Sequence, residues 1–567
     1  MRARRLLAVP GLVLAAVLVA GCSTSGGSGN EPSPSAADTG QGAFVVAAAV
    51  DPIALDPAVV TDPDSLRITR QIFETLVTLP DKPAAASPAP SPTATARSAS
   101  AATQADVTTV APGLATEWAA SRQGRTYTLT LREGVTFQDG TPFGPAAVCA
   151  NFDRWYTLSG RAAAPDVSAV YQEVFGGFID QASRYQGCTE LGPHQVRIDL
   201  ATPMPGLLTE LTRPQFGIQS PTAMADNGAY ATGGDPRTTS YATAHPTGTG
   251  PFRFGAWEPG VQVVLLRNPD YWGQKAAVER VLVKTVNDPK ARGEQLVKGK
   301  IDAYDQVTAL ETASLTADPK AGVRIERRAA GDLTYLGLDK DSTALADPRI
   351  RKAVALAIDP AAIVARTMPK GSTVANSLLP DDQGTRTYPY DPNQARRLLA
   401  EAGATNLKLR IGYPSGVQQG YLPAPEDLYV VVAEQLKAVG ITAEPVAMSW
   451  PAFLQMLGGE GTRPDLHLMG VAMQTPEPSS LVSQLLAGGP QEFGLPSTSS
   501  ELAGLLSQPA GAGRDAAVAA AQKQLLEDPV LVPLAHPVSV VALGPRVRDE
   551  RIGPYGADRW TSIRVTG

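Results

Sequence analysis

Residues Gly248–Gly273 read GTGPFRFGAWEPGVQVVLLRNPDYWG, and the rest of the chain is best understood outward from this stretch. Two glycines and a proline at 248–251 favour a tight turn, because glycine accepts positive φ and proline fixes its own backbone. The run 261–266 is mostly apolar, as expected for a strand that is buried on both faces. Asn268 and Pro269 then favour a second turn.

Three large aromatic residues lie in the same stretch, namely Trp257, Tyr271 and Trp272. Each of them, taken alone, is best interpreted as a packing residue, since large aromatics mostly serve cores. The whole string is more specific than its parts. It resembles one family of extracytoplasmic proteins, the family 5 solute-binding proteins of peptide and nickel ABC importers.

Other segments strengthen this resemblance. The stretch 51–79 is similar to the family's opening, and there Asp64 and Ser65 are predicted to cap a helix. The stretch 114–155 is similar to a second hallmark, although Gln138 stands where the family often has histidine, so no metal role is expected there. The helices predicted at 347–360 and 390–403 also match, with Asp347 and Asp391 as N-caps before proline. The resemblance covers the chain from Phe44 onward, except for an Ala-, Ser- and Pro-rich insertion at 80–112.

The resemblance implies an α/β, two-lobed periplasmic-binding-protein-like fold of type II, with an extra subdomain and a ligand cleft between the lobes. Lobe I is expected at 43–325, including the subdomain near 61–200 and the insertion at 80–112. Lobe II is expected at 326–528, and 529–567 would return to lobe I, with crossings near 326–336 and 526–533. The pattern strand, helix, strand from Leu407 to Ile441 independently predicts a βαβ unit and hence a parallel pair.

The N-terminus carries an export signal. Arg2, Arg4 and Arg5 precede an apolar run at 6–20, which is shorter than the roughly 20 residues that span a membrane. Residues 1–21 are therefore predicted to be a signal peptide, with Cys22 as the lipidated first mature residue and 22–42 as a flexible tether. A plain membrane helix is the alternative. The expected location is the outer face of the cytoplasmic membrane, on its periplasmic side if an outer membrane is present.

Charge and cysteine content narrow the function further. The chain has 49 Lys and Arg against 55 Asp and Glu, with no basic cluster after Arg5, which argues against nucleic-acid binding. Cys149 and Cys188 are predicted to form a disulfide, because an exported chain meets an oxidising environment. Two buried free thiols are the alternative.

No catalytic or metal-binding constellation is visible in the sequence. The common nucleophile, zinc, phosphate and dinucleotide motifs are absent. The four histidines are isolated from one another: His194, His245, His467 and His536. We therefore predict no enzyme activity, no cofactor and no metal site, while nickel or metal-chelate binding remains a weak alternative, since it is a subclass of the family.

The ligand site is predicted mainly at 470–478, GVAMQTPEP. Gln474 falls on the position where peptide-binding members of the family carry the aspartate that pairs with a peptide's ammonium group. A neutral amide cannot supply that charge, so we expect a ligand without a buried free amino terminus, unless Glu477 compensates. Met473 and Thr475 are predicted to contact the ligand with Gln474. Further candidates are Tyr335 and Asp339, at the predicted exit of the hinge, and Tyr413, at the end of a parallel strand, because ligands in open α/β folds sit at the carboxyl ends of strands.

Together these features predict a monomeric, lipid-anchored substrate-binding protein. It would capture a peptide or another small polar solute and deliver it to the permease and ATPase subunits of an ABC importer. A ligand-binding surface sensor without transport is one alternative, and a secreted hydrolase is another. A neighbouring permease operon would argue against the sensor, and a nucleophile–base pair in the cleft would favour the hydrolase.

Overall fold

The computed structural model describes residues 42–80, 110–121, 124–328, 331–379, 388–404, 406–457, 461–475, 512–553 and 558–566, together with a few isolated positions. The predicted signal peptide, Cys22, the tether up to 41 and Glu477 lie outside the described residues, as does most of the 80–112 insertion. Among the described residues no helix is both long enough and apolar enough to cross a membrane.

The strands, numbered along the chain, are β1 (Ala43–Ala48), β2 (Val77–Thr78), β3 (Ala111–Pro112), β4 (Ala115–Ser121), β5 (Thr126–Leu131), β6 (Tyr185–Gly192), β7 (Gln195–Leu200), β8 (Phe252–Glu258), β9 (Gln262–Arg267), β10 (Arg280–Thr285), β11 (Ala303–Asp305), β12 (Arg324–Arg327), β13 (Leu333–Leu338), β14 (Thr373–Val374), β15 (Lys408–Pro414), β16 (Thr442–Met448), β17 (Leu466–Val471), β18 (Leu531–His536), β19 (Val540–Leu543), β20 (Val547–Arg548) and β21 (Arg564–Val565).

The α-helices are α1 (Pro63–Ile72), α2 (Pro145–Tyr156), α3 (Pro165–Phe175), α4 (Leu207–Glu210), α5 (Pro221–Asp226), α6 (Ser240–Ala244), α7 (Pro289–Val297), α8 (Ala309–Thr316), α9 (Pro348–Ala357), α10 (Pro360–Thr367), α11 (Pro392–Glu401), α12 (Pro425–Ala438), α13 (Trp450–Leu457) and α14 (Ala512–Glu527).

Two mixed sheets form the two lobes. The first has seven strands in the order β12-β19-β11-β1-β10-β9-β8, and the second has six in the order β14-β18-β13-β17-β15-β16. In the second sheet β15 and β16 pair in parallel around α12, which confirms the βαβ unit. Apolar clusters cover both faces of each sheet.

The chain passes between the two sheets twice. It leaves the first sheet after β12 and enters the second at β13, so the first passage lies at 328–332, inside the predicted range. It returns between β18 and β19, at 537–539. The return is therefore later than the predicted 526–533, because β18 still pairs with β13 in the second sheet. We call these two passages the crossings.

A separate four-stranded antiparallel sheet, in the order β4-β5-β7-β6, lies within the range of the predicted subdomain. It packs with α2 and α3 around one apolar cluster. Cys149 of α2 and Cys188 of β6 are joined by a disulfide, with their Cα atoms 5.2 Å apart. β2 pairs with β3, which contains the last two residues of the predicted insertion.

Five of the described α-helices begin with aspartate followed by proline, namely α1, α7, α9, α10 and α11. Asp347 and Asp391 cap α9 and α11 through side-chain bonds to backbone amides, as predicted. The prediction for α1 was wrong by one turn, because Asp62 is its N-cap. Ser65 lies inside α1 and accepts from the Ile53 amide, while Asp64 accepts from Arg67. Several polar residues near this terminus could serve as the N-cap, and the spacing of the sequence does not show which of them does.

The stretch 248–273 folds as its sequence predicts. β9 is buried on both faces, with Val263 and Leu265 in one apolar cluster and Val264 in another. The preceding turn lies against the end of α1, and a Cβ on Gly250 would be only 2.5 Å from the carbonyl oxygen of Gln71. Any larger residue at this position would push α1 away from the turn.

Gln138 holds the same turn from the other side. Its side-chain Nε2 lies within 2.9–3.3 Å of three carbonyl oxygens, those of Ile72, Gly250 and Phe252. Its Oε1 accepts from the Gly248 amide at 3.3 Å. A neutral amide with both donor and acceptor groups suits this all-backbone environment. Gln138 therefore has a structural part in joining α1 to the glycine turn.

Glu74 anchors the end of the stretch. Its carboxylate accepts from the Tyr271 hydroxyl at 2.7 Å, the Trp272 indole at 2.7 Å and the Thr249 hydroxyl at 2.8 Å. Burial raises the pKa of Glu74, although these three donors oppose the rise. The two aromatics are thus packing residues with satisfied polar ends, as is usual for buried Tyr and Trp.

Candidate functional site

The predicted ligand segment Met473–Thr475 follows the end of β17, beside the first crossing. Leu333, the first residue of β13, pairs with Val471, the last residue of β17. The Met473 amide donates a hydrogen bond of 3.0 Å to Asp332 Oδ1. Asp332 is the last residue of the first crossing. The hydrogen bond from Met473 therefore connects the predicted ligand segment to the place where the chain passes between the lobes.

A second segment, the loop at 416–422 after β15, closes around the same point. The Thr334 hydroxyl donates to the Tyr421 carbonyl at 2.7 Å. A Cβ on Gly420 would lie 3.4 Å from Asp332 Oδ2 and 3.8 Å from Ser539 Oγ, which belongs to the second crossing. Both crossings, the 416–422 loop and the segment after β17 therefore meet around Asp332. We call this region the junction.

The carboxyl group of Asp332 is in an unusual environment. It is largely enclosed, although part of its surface remains accessible. Burial raises its pKa to about 7, and the Met473 amide and the Arg328 charge only partly oppose the rise. Groups with strongly shifted pKa values are more frequent at functional sites than elsewhere.

Arg328 belongs to an ion network on the lobe I side of the first crossing. It pairs with Asp558 through Nη2, and its Nη1 lies 3.6 Å from Asp305 Oδ2. Asp305 also pairs with Arg67 at 2.9 Å, and Arg67 pairs with Asp64 at 2.7 Å. The Arg328 amide donates to the carbonyl of Ser539 at 2.9 Å, which joins the two crossings to each other.

A side-chain contact through α7 also spans the two lobes. Arg292 of α7, on lobe I, donates from Nη2 to Gln418 Oε1 at 2.8 Å, and Gln418 belongs to the 416–422 loop of lobe II. The Arg292 guanidinium is held in place by the Val286 and Asn287 carbonyls. The contact therefore depends on how closely the 416–422 loop approaches α7.

The other three predicted ligand residues have different surroundings. Tyr335 is fully buried in an apolar cluster on one face of the second sheet, next to His467. Tyr413 stacks on Tyr429 at 4.9 Å in the cluster on the opposite face. Asp339 lies at the far end of β13 from the junction, where it accepts from the Asp341 amide in a turn. These are packing and turn positions, so strand-end position alone did not bring the three residues to the junction.

The histidines do not assemble. His467 packs against Gly337, and burial lowers its pKa to about 4. His536 Nδ1 lies 2.9 Å from the Asp332 carbonyl oxygen. His194 lies near Glu133, on the outside of the subdomain. In the described parts of the chain, no group of three or more His, Cys, Asp or Glu residues could hold a metal ion.

A small cavity of about 20 Å³ lies against the first sheet, lined in part by Arg67, Asp305 and Asp558. That volume suits a single water and is far below the size of a solute site. The cavity belongs to the ion network rather than to ligand binding.

Sequence reasoning missed Asp332, Arg328, Arg292 and Gln418. The first two precede β13 in a stretch without a motif, and no pattern marks a crossing until the sheets are known. Their partners Ser539, Asp558 and Met473 are more than a hundred residues away in sequence.

Comparison with known proteins agrees with this architecture. Residues 109–493, more than half of the chain, match the model of the bacterial extracellular solute-binding proteins, family 5. The chain belongs to this family. The resemblance inferred from 248–273 is thereby confirmed, as are the two-lobed fold and the role of a substrate-binding protein in transport.

Relatives of this family 5 protein bind different solutes. It is 24% identical to heme-binding protein A of Haemophilus influenzae over 81% of this chain and 85% of that protein. It is 25% identical to a probable di/tripeptide-binding protein of Pseudomonas aeruginosa, over 81% of this chain and 87% of the relative.

Solved structures share the fold. A dipeptide-binding protein from Pseudoalteromonas in complex with Met-Leu gives a TM-score of 0.78 at 23% identity, covering 92% of this chain and 100% of that one. NikA from Brucella suis in complex with Fe(III)-EDTA gives a TM-score of 0.71 at 23% identity, with the same coverage. Members of the family are extracellular transport proteins rather than enzymes.

Proposed function

We propose that this family 5 protein is exported, anchored through a lipid on Cys22, and captures a peptide or a peptide-sized polar solute for an ABC importer. Its partners would be the permease and ATPase subunits of that importer, and it would act as a monomer without turnover of its own. The low-complexity tether at 22–42 would let the folded body reach the permease from the membrane surface.

One observation carries this proposal: the segment Met473–Thr475 is fastened by the Met473 amide to Asp332 at the crossing between the lobes. A ligand bound at 473–475 would sit where a rotation of one lobe against the other has its axis. Hinge closure around a ligand is an established route to enclosing it. Closure at this position would let a small solute control the relative orientation of both lobes.

The Arg292–Gln418 contact fits the same mechanism. It forms only when the 416–422 loop of lobe II lies against α7 of lobe I. Opening the lobes would separate the two side chains and return both to water. Closing the lobes would therefore add this charge-assisted hydrogen bond, a small energy that ligand binding can supply or override.

Gln474 is proposed to contact the solute directly. Its Oε1 is buried and accepts no hydrogen bond from the described residues. A buried acceptor without a donor costs free energy, which a ligand N–H group would recover. Met473 and Thr475 are both buried, and they would define the shape of the site around Gln474.

The test is to purify the chain from Ser23 onward, without Cys22, denature it, and identify the released small molecules by mass spectrometry. A stoichiometric peptide or other polar solute is expected. Rebinding of that solute, measured by calorimetry on protein refolded after its removal, should restore one site per chain. Recovery of a metal chelate would instead favour the nickel-type members of the family. If no small molecule is released and none binds, the solute-capture proposal is refuted.

A further inference from the structure

The junction contains an unusual number of hydrogen-bond acceptors without donors. Within the described part of the chain, Asp332 Oδ1 accepts from Met473, whereas no hydrogen bond or ion pair is formed by Oδ2. The Oε1 atoms of Gln306 and Gln419 are buried and have no partner among the described residues. Gln306 is 8% exposed and Gln419 is 5% exposed, so bulk water does not satisfy them.

Gln419 belongs to the 416–422 loop of the junction, and the backbone next to Gln306 bonds to the strand that follows the second crossing. Gln306 follows β11, and its neighbour Val307 donates to the carbonyl of Val540 at 3.2 Å, directly after the second crossing. Gln419 precedes Gly420, the residue that lies against Asp332 Oδ2 and Ser539. Gln306 also has a positive φ of 59°, which is uncommon for a residue with a side chain. Strained backbone of this kind persists where the surroundings enforce it, often at ligand sites.

The charges that face Asp332 do not neutralise it. Arg328, on the same crossing, has its guanidinium engaged by Asp558, Asp305 and Ser539. His536 meets the Asp332 backbone oxygen rather than its carboxylate.

The neighbouring Tyr421 brings no positive charge to the junction. Burial raises the pKa of Tyr421, and the nearby charges of Asp332 and Asp62 raise it further. Asp62, at the N-terminus of α1, also has a buried Oδ2 without a partner among the described residues. A largely enclosed carboxylate whose charged neighbour Arg328 is already paired with two other carboxylates is costly unless something positive binds.

We infer that Asp332 is the counter-ion for a positively charged, donor-rich nitrogen group of the solute, an ammonium or a guanidinium, whose further N–H groups are accepted by Gln306 and Gln419. This inference rests on the proposed solute-capture function and specifies the class of solute. It changes the expectation drawn from Gln474, because the negative charge absent at 474 is supplied from the crossing. Such a cation would also join the hinge to the 416–422 loop, and so would favour closure.

The protein from Ser23 onward, freed of bound solute, is mixed with a tryptic digest of casein or with the same digest after complete N-acetylation. Retained species are identified by mass spectrometry after rapid gel filtration. Acetylation removes the ammonium groups of the amino terminus and of lysine but leaves the arginine guanidinium charged. Retention of free peptides alone identifies an ammonium, and retention of acetylated peptides that end in arginine identifies a guanidinium.

The variant is Asp332→Asn, which keeps an oxygen for the Met473 amide but removes the charge. We expect at least about 30-fold weaker binding of the best retained peptide, the effect of removing one partner of an enclosed charge pair. Asp339→Asn is the matched control, since Asp339 lies at the far end of β13 and should bind as wild type. Gln419→Leu, which removes only a neutral acceptor, should weaken binding less than Asp332→Asn.

The two proposals fail differently. Wild-type protein that retains acetylated, lysine-ending peptides as well as free ones binds solutes but has no cation site, which overturns the role of Asp332. Unchanged affinity in a folded Asp332→Asn variant has the same meaning. If the wild type retains nothing from either digest and releases no solute on denaturation, capture itself is refuted and the inference falls with it.

Discussion

Replacing Asp332 with asparagine should make the solute-free protein more stable at neutral pH, although the residue is enclosed and hydrogen-bonded. Burial raises its pKa in the folded protein from 3.8 to about 7. Because the folded pKa is the higher one, the contribution of this group to stability is complete below about pH 4 and is lost as the pH rises through 7. The ionised carboxylate therefore destabilises the folded state in the absence of a cation.

The size of this effect follows from the shift. A difference of about three pKa units corresponds to about 4 kcal/mol at most, at 1.36 kcal/mol per unit. Water entry and relaxation around a partly accessible group should reduce this, so we expect a gain of about 2 kcal/mol for Asp332→Asn at pH 8. At pH 4 the two proteins should be equally stable. The groups that face the carboxyl are Arg328, Tyr421 and the Met473 amide, and none of them is changed by the substitution.

Urea unfolding of both proteins, followed by tryptophan fluorescence from pH 4 to 8 without solute, measures the difference. Taking the difference between variants cancels the titration of all other groups. The Asp339→Asn control should follow the wild type at every pH. If Asp332→Asn is no more stable than wild type at pH 8, or if the difference does not vary with pH, the enclosed-carboxylate reasoning is refuted. Addition of the captured solute should reverse the order, since only the wild type gains the ion pair.

Substitutions at four other residues test the remaining contacts. Glu74→Ala should lower the free energy of unfolding by about 3 kcal/mol, or roughly 1 kcal/mol for each of the three donors that it leaves unpaired. Glu74→Gln should lower it less, because it keeps one acceptor. Urea unfolding compares the two variants. Asp558→Ala should destabilise by about 3–5 kcal/mol, because it leaves Arg328 enclosed without its main partner, and a loss below 1 kcal/mol would contradict a buried pair. Arg292→Ala and Gln418→Ala should each speed solute release several-fold, as measured by stopped flow. The double variant should release the solute no faster than either single variant. Additive effects would show that the two side chains act separately.

The fold was largely predictable because its signals are local. The glycine turn, the doubly buried β9 and the Asp-Pro starts of α9 and α11 each depend on residues within a few positions of one another. Such patterns form the same local structure whatever packs around them. A series of them in a fixed order is specific to one family. The one error at a helix start, in α1, arose where Asp62, Asp64 and Ser65 offered several caps and distant partners chose among them.

The candidate site was predictable only in part. The segment 473–475 could be identified because it follows a recognisable strand, and the structure fastens it to the crossing through Met473. Tyr335 was predicted from the hinge exit and Tyr413 from the end of a parallel strand, but their side chains face the two apolar layers of the second sheet. Which face of a sheet is covered depends on helices that pack later in the sequence, and period-two spacing does not reveal it.

The sequence by itself therefore determined the local elements and the family, and it predicts the export signal and the tether. Each of these features depends on one continuous stretch of residues. Only the tertiary structure decided where charge lies at the junction. Asp332, Gly420 and Ser539 belong to three separate segments, and they come together because the chain crosses twice between the two sheets. The enclosed carboxylate has its unusual pKa for the same reason. Desolvation depends on all the groups packed around the carboxyl, and most of these are distant from it in sequence.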